Sequence, residues 1–409
     1  MQSKSIVCVI TQNIKCMNKA KITITVVLLL MVQSLFSQPI KVGAERMEDY
    51  LSLLDGKSVG VVANPTSRVG NTHLVDTLLS LGVDIKAIFC PEHGFRGQAE
   101  AGASINSEID SQTGIPIVSL YGKNKKPSVA NLANIDVLVF DIQDVGARFY
   151  TYISTLHYVM EAAAENGKRV VVLDRPNPNG FYVDGPVLKS EYKSFVGMHP
   201  VPIVHGMTIG EYALMINGEG WLANGVKCVL DVVTMDYYTH DSLYELPVSP
   251  SPNLRTMNAI YLYPSICCFE GTSVSVGRGT NHPFELIGTP YYKCVVFGDN
   301  ITFVPKPIKG VSENPLHNGK SCVGWELIGD SHKILETKKL NLSYLIDMYK
   351  CSSDDKFFNS FFEKLMGTGE LRKQIEAGLS EDEIRNSWQP ALSEFKEIRK
   401  KYLLYEDFE

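Results

Sequence analysis

The loop after one strand-like run carries the residues of this sequence best suited to acid–base chemistry. The run "DIKAIFC" stops at Pro91, and Glu92, His93 and Arg96 follow it among glycines. A carboxylic acid beside apolar side chains can stay protonated near neutral pH and serve as a general acid. No helical spacing surrounds Glu92, so a solvated helix face does not account for it. Because loops act through the scaffold that positions them, the surrounding elements determine what this loop can do.

Short apolar runs alternate with amphipathic segments from residue 57 to about residue 235. The apolar runs are rich in Val and Ile and lack polar alternation, which is typical of strands buried on both faces of a parallel sheet. They are "SVGVVA", "DIKAIFC", "IPIVSL", "DVLVFDI", "RVVVLD" and "VPIVH". Between them, "THLVDTLLSLG" and "YISTLHYVMEAAAENG" show helical spacing and end in glycine. This alternation predicts an α/β domain with a mostly parallel sheet.

The Pro- and Ser-rich stretch "SPSPNLRT" interrupts this pattern after Pro247 and is typical of a domain boundary or a cleft wall. Mixed strands and loops follow it, and the tail becomes helical. The helical patterns are "NLSYLIDMYKC", "DKFFNSFFEKLMG" and "QPALSEFKEIRKKYLL". We therefore predict one domain over residues 38–250 and a second region over residues 251–409.

Polar side chains follow five of the predicted strands. In an open parallel sheet, ligands bind outside the carboxyl ends of the strands, so we expect these side chains to share one crevice. In chain order they are Asn64, Glu92 with His93, Asp141 with Asp144 and Arg148, Asp174, and His205 with Thr208.

Several of these residues also have a structural interpretation. Asp174 precedes "RPNP" and is placed to cap a turn, and His205 suits a hydrogen-bonded interior histidine. Asp141 lies deep in an apolar run, where a structural hydrogen bond is favoured. Arg148 and Asp144 are spaced for an ordinary salt bridge. Both interpretations stay open at the level of sequence.

A second polar cluster lies in "CFEGTSVSVGRGTNHPFELIGTP" (268–290). Glu270, Arg278 and Asn281 stand there among Gly, Ser and Thr. This pattern indicates a second wall that brings a carboxylate and a guanidinium to the crevice. A salt-bridged structural loop is the alternative.

Composition and missing motifs exclude several classes of function. The chain has 409 residues, a formal net charge of −6 and ordinary globular composition, so nucleic acid is not an expected partner. The glycine pattern for dinucleotides, the phosphate-binding P-loop, the nucleophile-elbow motif and zinc-ligand spacing are missing, so no cofactor or metal is predicted. Asp141 and Asp144 with His93 and His205 remain an alternative site for a divalent ion.

The N-terminal residues 1–37 have the pattern of a secretory leader. Lys19 and Lys21 precede the apolar run "ITITVVLLLMV", and small Ser37 precedes Gln38. The run is shorter than a membrane-spanning helix requires, so we expect no stable span in the mature protein. We predict export to the periplasm or the extracellular space. Met1 and Met17 both remain possible starts.

The cysteines do not form a recognisable disulfide framework. Without Cys8 and Cys16 of the leader, seven of the nine cysteines remain, an odd number with irregular spacing. Cys90, Cys228 and Cys294 lie in apolar runs and are predicted to be buried small hydrophobic residues. One disulfide in an oxidising compartment remains open.

Taken together, ordered stretches of this chain resemble the NamZ (YbbC-like) exo-β-N-acetylmuramidases of bacterial peptidoglycan turnover. The resemblance runs from about residue 59 to residue 327, which is most of the mature chain. The matching stretches are "VGVVANPTS", "FCPEHGFRG", "VFDIQDVGARFYTY", "LDRPNPNG", "HGMTIGEYA", "PSPN", "FEGTSVSVGRGTNHPFELIGTP" and "CVGWEL".

The resemblance implies a Rossmann-like N-terminal domain, a smaller C-terminal α/β domain and a cleft between them. It also implies hydrolysis of a terminal β-linked N-acetylmuramic acid from the non-reducing end of a peptidoglycan-derived glycan. The alternatives from other classes are a non-catalytic glycan-binding protein and a metal-dependent hydrolase that uses the Asp141, Asp144 and His cluster.

Glycoside hydrolysis assigns roles to the candidate residues. Glu92 is the predicted general acid, and Asp144 and Glu270 are the candidates for the second carboxylate, with help from the substrate's N-acetyl group left open. The lactyl carboxylate of muramic acid suits a two-donor guanidinium, from Arg148 or Arg278. The other predicted substrate contacts are Asn64, His93, Arg96, Tyr150, Asp174, His205 and Asn281. Carboxylate separation, which distinguishes retaining from inverting enzymes, is not readable from sequence.

Overall fold

The structure is a computed structural model that describes residues 38–92, 94–96, 108–294 and 300–409. Strands and helices alternate along its N-terminal half. The strands are β1 (Ser58–Ala63), β2 (Arg68–Val69), β3 (Thr72–His73), β4 (Asp84–Cys90), β5 (Glu108–Ile109), β6 (Pro116–Ser119), β7 (Val137–Asp141), β8 (Arg169–Leu173), β9 (Val229–Val233), β10 (Leu286–Thr289), β11 (Ile301–Phe303) and β12 (Cys322–Glu326). The helices are α1 (Met47–Leu54), α2 (Leu74–Ser80), α3 (Val129–Leu132), α4 (Tyr152–Glu165), α5 (Ile209–Gly218), α6 (Met257–Ile266), α7 (Ser331–Thr337), α8 (Ser343–Cys351), α9 (Phe362–Met366), α10 (Glu370–Glu376) and α11 (Glu381–Arg399). The predicted leader (1–37) and His93 lie outside the described residues.

The main sheet of the described chain has seven strands in the order β5–β6–β4–β1–β7–β8–β9. All of its neighbouring pairs are parallel except β5 with β6, which is antiparallel. The chain leaves central β1 first toward β4 and β6, and then returns to add β7, β8 and β9 on the other side. The carboxyl ends of β4, β1 and β7 therefore surround the point where the strand order reverses. The predicted mostly parallel α/β fold is confirmed.

Both faces of this sheet are covered, which explains the lack of polar alternation in its strands. Val59 and Val61 of β1 pack with side chains of α1 and α2 on one face. Val62 of β1 and Phe140 of β7 pack with side chains of α4 and α5 on the other. Successive side chains of a strand point to opposite faces, so a strand buried on both must be apolar throughout.

The prediction of a strand at "VPIVH" (201–205) is wrong. Val204 forms only isolated bridges, with Ala147 and Asp184. Pro202 has no N–H to donate to a sheet ladder, which disfavours a place inside the sheet. The strand that ends this side of the sheet is β9, in which Val233 is buried and the other side chains are partly or fully exposed.

The C-terminal half contains a small antiparallel sheet of the described strands β10, β12 and β11, in that order, and most of the remaining helices. The three predicted tail helices correspond to α8, α9 and α11. Helix α11 begins earlier than the apolar pattern indicated, because Ser380 and Glu383 form a reciprocal capping box at its start. None of the helices in the described ranges is long and apolar enough to cross a bilayer.

The end of the chain returns to the main sheet. Arg399 is fully buried and donates to the Gly206 carbonyl oxygen, at 2.7 Å from Nη2. The Tyr405 hydroxyl donates to Asp174 Oδ2 at 2.6 Å, beside the carboxyl end of β8. The last thirty residues therefore cover part of the rim at which substrate binding was expected.

A disulfide joins Cys294 to Cys351. The prediction that Cys294 is simply a buried small hydrophobic residue is therefore wrong. The bridge connects the segment after β10 to the end of α8, and Lys293 N donates to the Cys351 carbonyl oxygen at 2.8 Å beside it. The other described cysteines are buried thiols: Cys90, Cys228, Cys267, Cys268 and Cys322.

Candidate active site

A cavity of about 250 Å³ opens where loops from both halves of the chain meet. Its walls come from the loop after β4, the segment that enters α4, the stretch at 251–254, the 3₁₀ helix Cys267–Gly271 and α9. The lining residues are Glu92, Phe149, Tyr150, Thr151, Tyr152, Val196, Ser251, Leu254, Tyr263, Cys267, Glu270, Arg278, Phe284, Phe361 and Leu365. Four predicted site residues thus share one space: Glu92, Tyr150, Glu270 and Arg278.

Glu92 has the electrostatic environment of a general acid. Burial raises the pKa of its carboxyl, and the negative charge of Glu270 raises it further. A hydrogen bond from the Tyr121 hydroxyl and the positive charge of Arg278 act in the opposite direction on the same pKa. The net result is a carboxyl that keeps its proton to higher pH than an exposed glutamate does.

Glu270 and Arg278 form an ion pair in the cavity wall. Arg278 Nε donates to Glu270 Oε1 at 2.6 Å, and the Cys267 thiol lies 3.5 Å from Glu270 Oε2. Neither Nη atom of Arg278 donates a hydrogen bond to a described residue, so the outer edge of the guanidinium is available to a ligand. The guanidinium also lies over the Phe284 ring, 5.0 Å from its centroid. The ion pair of the structural alternative thus exists, and both of its residues line the cavity, as the predicted second wall requires.

Aromatic rings form much of the cavity wall. Tyr150 and Tyr152 meet edge to face with centroids 4.8 Å apart, and Tyr263 makes the same contact with Phe284 at 5.0 Å. The Tyr150 hydroxyl donates to the Pro250 carbonyl oxygen at 2.8 Å. This bond ties the segment before α4 to the stretch at 251–254. The predicted cleft wall at "PSPN" is therefore part of the cavity, whereas the domain boundary at residue 250 stays a prediction.

Asp144 is buried close to the site and is not among the lining residues. Burial raises the pKa of its carboxyl to about 7. Gly146 N donates to its Oδ2 at 2.7 Å, and Gly146 has a φ of 76°, which glycine adopts at little cost. A side chain at Gly146 would also collide with Asn177. The turn after β7 therefore holds Asp144 in a closed, low-dielectric position.

Arg148 lies inside the protein and makes structural contacts. It is fully buried, and its guanidinium donates to the carbonyl oxygens of Pro186 at 2.8 Å, Val201 at 2.7 Å and Leu365 at 2.9 Å. Burial lowers the pKa of Arg148 to about 9. The ion pairs found in the described chain do not include one with Asp144, the structural alternative that the spacing left open. Of the two predicted partners for a lactyl carboxylate, only Arg278 lies in the cavity.

The acidic side chains at the carboxyl ends of β7 and β8 bind other side chains inside the protein. Asp141 accepts two hydrogen bonds from Arg175, at 2.5 and 2.9 Å, and both side chains are buried. Asp174 accepts from Thr208 Oγ1 at 2.7 Å and from the Tyr405 hydroxyl. Burial raises the pKa of Asp174 to about 6. The structure thus gives Asp141 and Asp174 structural partners.

Asn64 and His205 are likewise buried. Asn64 Oδ1 accepts from Thr66 N at 2.9 Å and shapes the turn after β1. His205 Nδ1 accepts from Met207 N at 3.2 Å, and burial lowers the pKa of the imidazole to about 3. Neither residue is among those that line the cavity.

The remaining predicted contacts lie away from the cavity or outside the described chain. Arg96 binds Asp76 through two hydrogen bonds, at 3.0 and 2.8 Å, and also binds Asp110, so it anchors the loop that carries Glu92. Asn281 is exposed. His93 lies outside the described residues. Within the described ranges, no group of three or more His, Cys, Asp or Glu side chains is arranged to hold a metal ion.

Comparison with known proteins identifies the family. The N-terminal domain described as exo-β-N-acetylmuramidase NamZ matches residues 59–258, and the corresponding C-terminal domain matches residues 261–405. The chain belongs to this family. The resemblance found in the sequence is confirmed, and the enzyme is a glycosidase.

Individual proteins match this chain over nearly their full length. The peptidoglycan β-N-acetylmuramidase NamZ of Bacillus subtilis (strain 168) is 43% identical over 376 residues, which are 88% of this chain and 89% of that protein. Two crystal structures of DUF1343 family proteins from Bacteroides fragilis NCTC 9343 each cover 90% of this chain. The first has a TM-score of 0.83 and 48% sequence identity, and 100% of its own chain is covered. The second has a TM-score of 0.76 and 30% sequence identity, and 99% of its own chain is covered.

Sequence reasoning missed several lining residues of this NamZ family member. Tyr152 was within the quoted stretch "VFDIQDVGARFYTY", where the repeated aromatic residues after a predicted strand were a usable signal. Tyr121, whose hydroxyl binds Glu92 although it does not line the cavity, comes two residues after β6 and was also within reach of the strand-end rule. Phe361 and Leu365 had no such signal, because they belong to an ordinary amphipathic tail pattern about ninety residues after Glu270.

Proposed function

We propose that this protein is an exported hydrolase that releases terminal β-linked N-acetylmuramic acid from the non-reducing end of peptidoglycan glycans. The observation that supports this most is the convergence of Glu92, Glu270 and Arg278 in one cavity. It supplies an acid of raised pKa, a second carboxylate and a cation whose two Nη atoms have no hydrogen-bond partner among the described residues. A glycosidase for a sugar acid requires these three groups.

The reaction needs one proton for the leaving oxygen and negative charge near the anomeric carbon. Glu92 donates its proton to the glycosidic oxygen as the bond to the anomeric carbon breaks. Glu270 stabilises the positive charge that develops, either directly or by orienting the N-acetyl oxygen of the substrate. Water then adds its hydroxyl to the anomeric carbon and returns a proton to Glu92. Glu270 is the better placed of the two candidate carboxylates, because Asp144 does not line the cavity.

Arg278 is the proposed partner of the lactyl carboxylate. Its Nε is occupied by Glu270, whereas its two Nη atoms form the planar pair of donors that a carboxylate binds best. The same ion pair therefore couples substrate selection to the position of the catalytic carboxylate. A β-N-acetylglucosaminide lacks the lactyl group and leaves these donors unused.

Arg278→Lys is expected to lower kcat/KM for a chromogenic β-N-acetylmuraminide by roughly tenfold or more, since an ammonium cannot reproduce a two-donor fork. The assay measures the muraminide and the matching β-N-acetylglucosaminide side by side, which also tests the proposed activity in the wild-type enzyme. Turnover of neither substrate would reject the activity and leave a glycan-binding protein.

The control is Arg372→Lys, which changes a surface arginine paired with Glu363 and Glu376. It should leave both rates near the wild-type values. An equal loss on both substrates in Arg278→Lys would instead show that Arg278 acts only by holding Glu270.

Export is proposed from the leader pattern and is supported by the Cys294–Cys351 disulfide, since such bonds persist in oxidising compartments. Intact-mass analysis of protein from the native envelope or medium should find a chain that begins near Gln38 and has one disulfide. A chain that retains Ile22–Val32 and has only free thiols would contradict the proposal.

A further inference from the structure

A row of partly exposed side chains leads away from the cavity along α4. Val196 lines the cavity, and the preceding Phe195 stacks on Tyr158 with ring centroids 6.2 Å apart and planes inclined by 15°. Lys125 Nζ lies 4.0 Å from the centroid of the Phe195 ring. Ser154 Oγ fixes this turn by donating to the Phe195 carbonyl oxygen at 2.7 Å. We call Lys125, Tyr158 and Phe195 the shelf.

The shelf adjoins the cavity, because Phe195 directly precedes Val196, which lines it. Tyr158 comes six residues after the lining Tyr152 on α4, roughly 9 Å along the helix axis and about 120° around it. Lys125 belongs to the loop that begins at Tyr121, whose hydroxyl binds Glu92. A general acid lies beside the leaving oxygen, so the glycan beyond the scissile bond must emerge on the Glu92 side. That part of the substrate therefore passes toward the shelf.

The shelf also carries unneutralised positive charge. Lys126 pairs with Glu161 and Glu165, at 2.8 and 2.7 Å. Neither Lys125 nor Lys193, which is exposed two residues before Phe195, has a carboxylate partner among the ion pairs of the described chain. One cation thus lies over the Phe195 ring, and a second lies two residues away in the chain.

We propose that the shelf binds the glycan beyond the scissile bond and recognises carboxylates that this part of the substrate carries. The inference rests on the proposed muramidase activity and extends it to the leaving-group side. The flat stack provides an apolar surface for a sugar ring, and Lys125 and Lys193 attract negative charge next to it. Such carboxylates come from a second muramyl residue, either from its lactyl group or from an attached stem peptide.

The test compares one glycan in two charge states. The substrate is a short glycan with a terminal muramyl residue and a second one two sugars further on, with its lactyl carboxylates free or converted to amides. Lys125→Gln should lower kcat/KM on the free-acid glycan by roughly three- to tenfold, the scale of one partly solvated charged contact. Since the terminal lactyl group is amidated too, each comparison is variant against wild type on the same substrate.

The matched control is Lys57→Gln, which removes the same charge from an exposed position just before β1, at the amino end of the sheet. Lys57→Gln should leave kcat/KM unchanged to the same extent on the free-acid and the amidated glycan. Phe195→Leu keeps an apolar side chain, removes the ring, and should lower kcat/KM on both glycans relative to the chromogenic muraminide. Equal loss on free-acid and amidated glycans in Lys125→Gln, or a loss no larger than in Lys57→Gln, would overturn the proposal.

A third substrate distinguishes the source of the carboxylate. If Lys125→Gln lowers kcat/KM more on a glycan with intact stem peptides than on the lactyl-only glycan, the shelf recognises the peptide. Equal decreases in kcat/KM assign recognition to the lactyl group. The chromogenic muraminide keeps this test separate from the proposed function, because its phenol does not extend to the shelf. Wild-type turnover of that substrate establishes the activity whether or not the shelf variants discriminate.

Discussion

Glu92→Gln is expected to lower kcat for a natural muramyl glycan by roughly 10²–10⁴-fold, the usual contribution of general acid catalysis. The substitution keeps the shape of the side chain and removes its ionisable proton. Partial burial raises the pKa of the carboxyl, so an uncharged amide of the same shape should cost little stability. Steady-state kinetics with a thermal melt of the same preparation would measure both effects.

The deficit of Glu92→Gln should depend on the leaving group. An acidic phenol departs with little help from a proton, so a chromogenic muraminide should lose less activity than a natural disaccharide. Equal and complete loss on both substrates would assign Glu92 to nucleophilic attack or charge stabilisation. Near-normal rates on both would remove Glu92 from the chemistry.

Glu270→Gln should lower kcat by roughly 10²–10³-fold, the scale of removing one electrostatic contact to the charge that develops in the transition state. The variant keeps a hydrogen-bond acceptor for Arg278 Nε, so the wall of the cavity should stay in place. Asp144→Asn is the matched comparison, because Asp144 is the other candidate carboxylate and does not line the cavity. A larger loss in Asp144→Asn than in Glu270→Gln would reverse the assignment.

Glu270→Gln should also shift the pH profile of kcat. The general acid must be protonated, so activity falls as pH rises through the pKa of Glu92. The charge of Glu270 raises that pKa and the charge of Arg278 lowers it. Removing the negative charge and leaving the positive one must lower the pKa, and the alkaline limb should move to lower pH. An unchanged or upward shift would show that a different group controls this limb.

The main sheet was largely readable from sequence. A strand buried on both faces must be apolar throughout, and five runs with that pattern became β1, β4, β6, β7 and β8. The run at 201–205 failed because apolar content alone does not provide the N–H groups of a sheet ladder, and Pro202 lacks one. Local composition therefore identified the parallel strands, whereas the lack of a backbone N–H at Pro202 explains why the run at 201–205 is not one of them.

The candidate site was only partly readable. The strand-end rule located Glu92 because a buried strand leaves few directions for the next side chain. The same rule also selected Asn64, Asp141, Asp174 and His205, which the structure buries among internal partners. The sequence shows which polar residues follow the strands at the rim of the sheet. It does not show which residues from distant parts of the chain bind them there.

Tyr405 and Arg278 show this difference most clearly. Tyr405 lies 231 positions after Asp174 and donates to its carboxylate, so the end of the chain occupies part of the rim. Arg278 lies far from Glu92 in sequence, yet its charge lowers the pKa of Glu92 inside the shared cavity. The sequence by itself determined the alternating fold and the family resemblance, and it singled out Glu92 as the candidate acid. Tertiary structure decided which of two arginines faces the cavity, and it favoured Glu270 over Asp144, because burial and electrostatic coupling depend on contacts between residues distant in sequence.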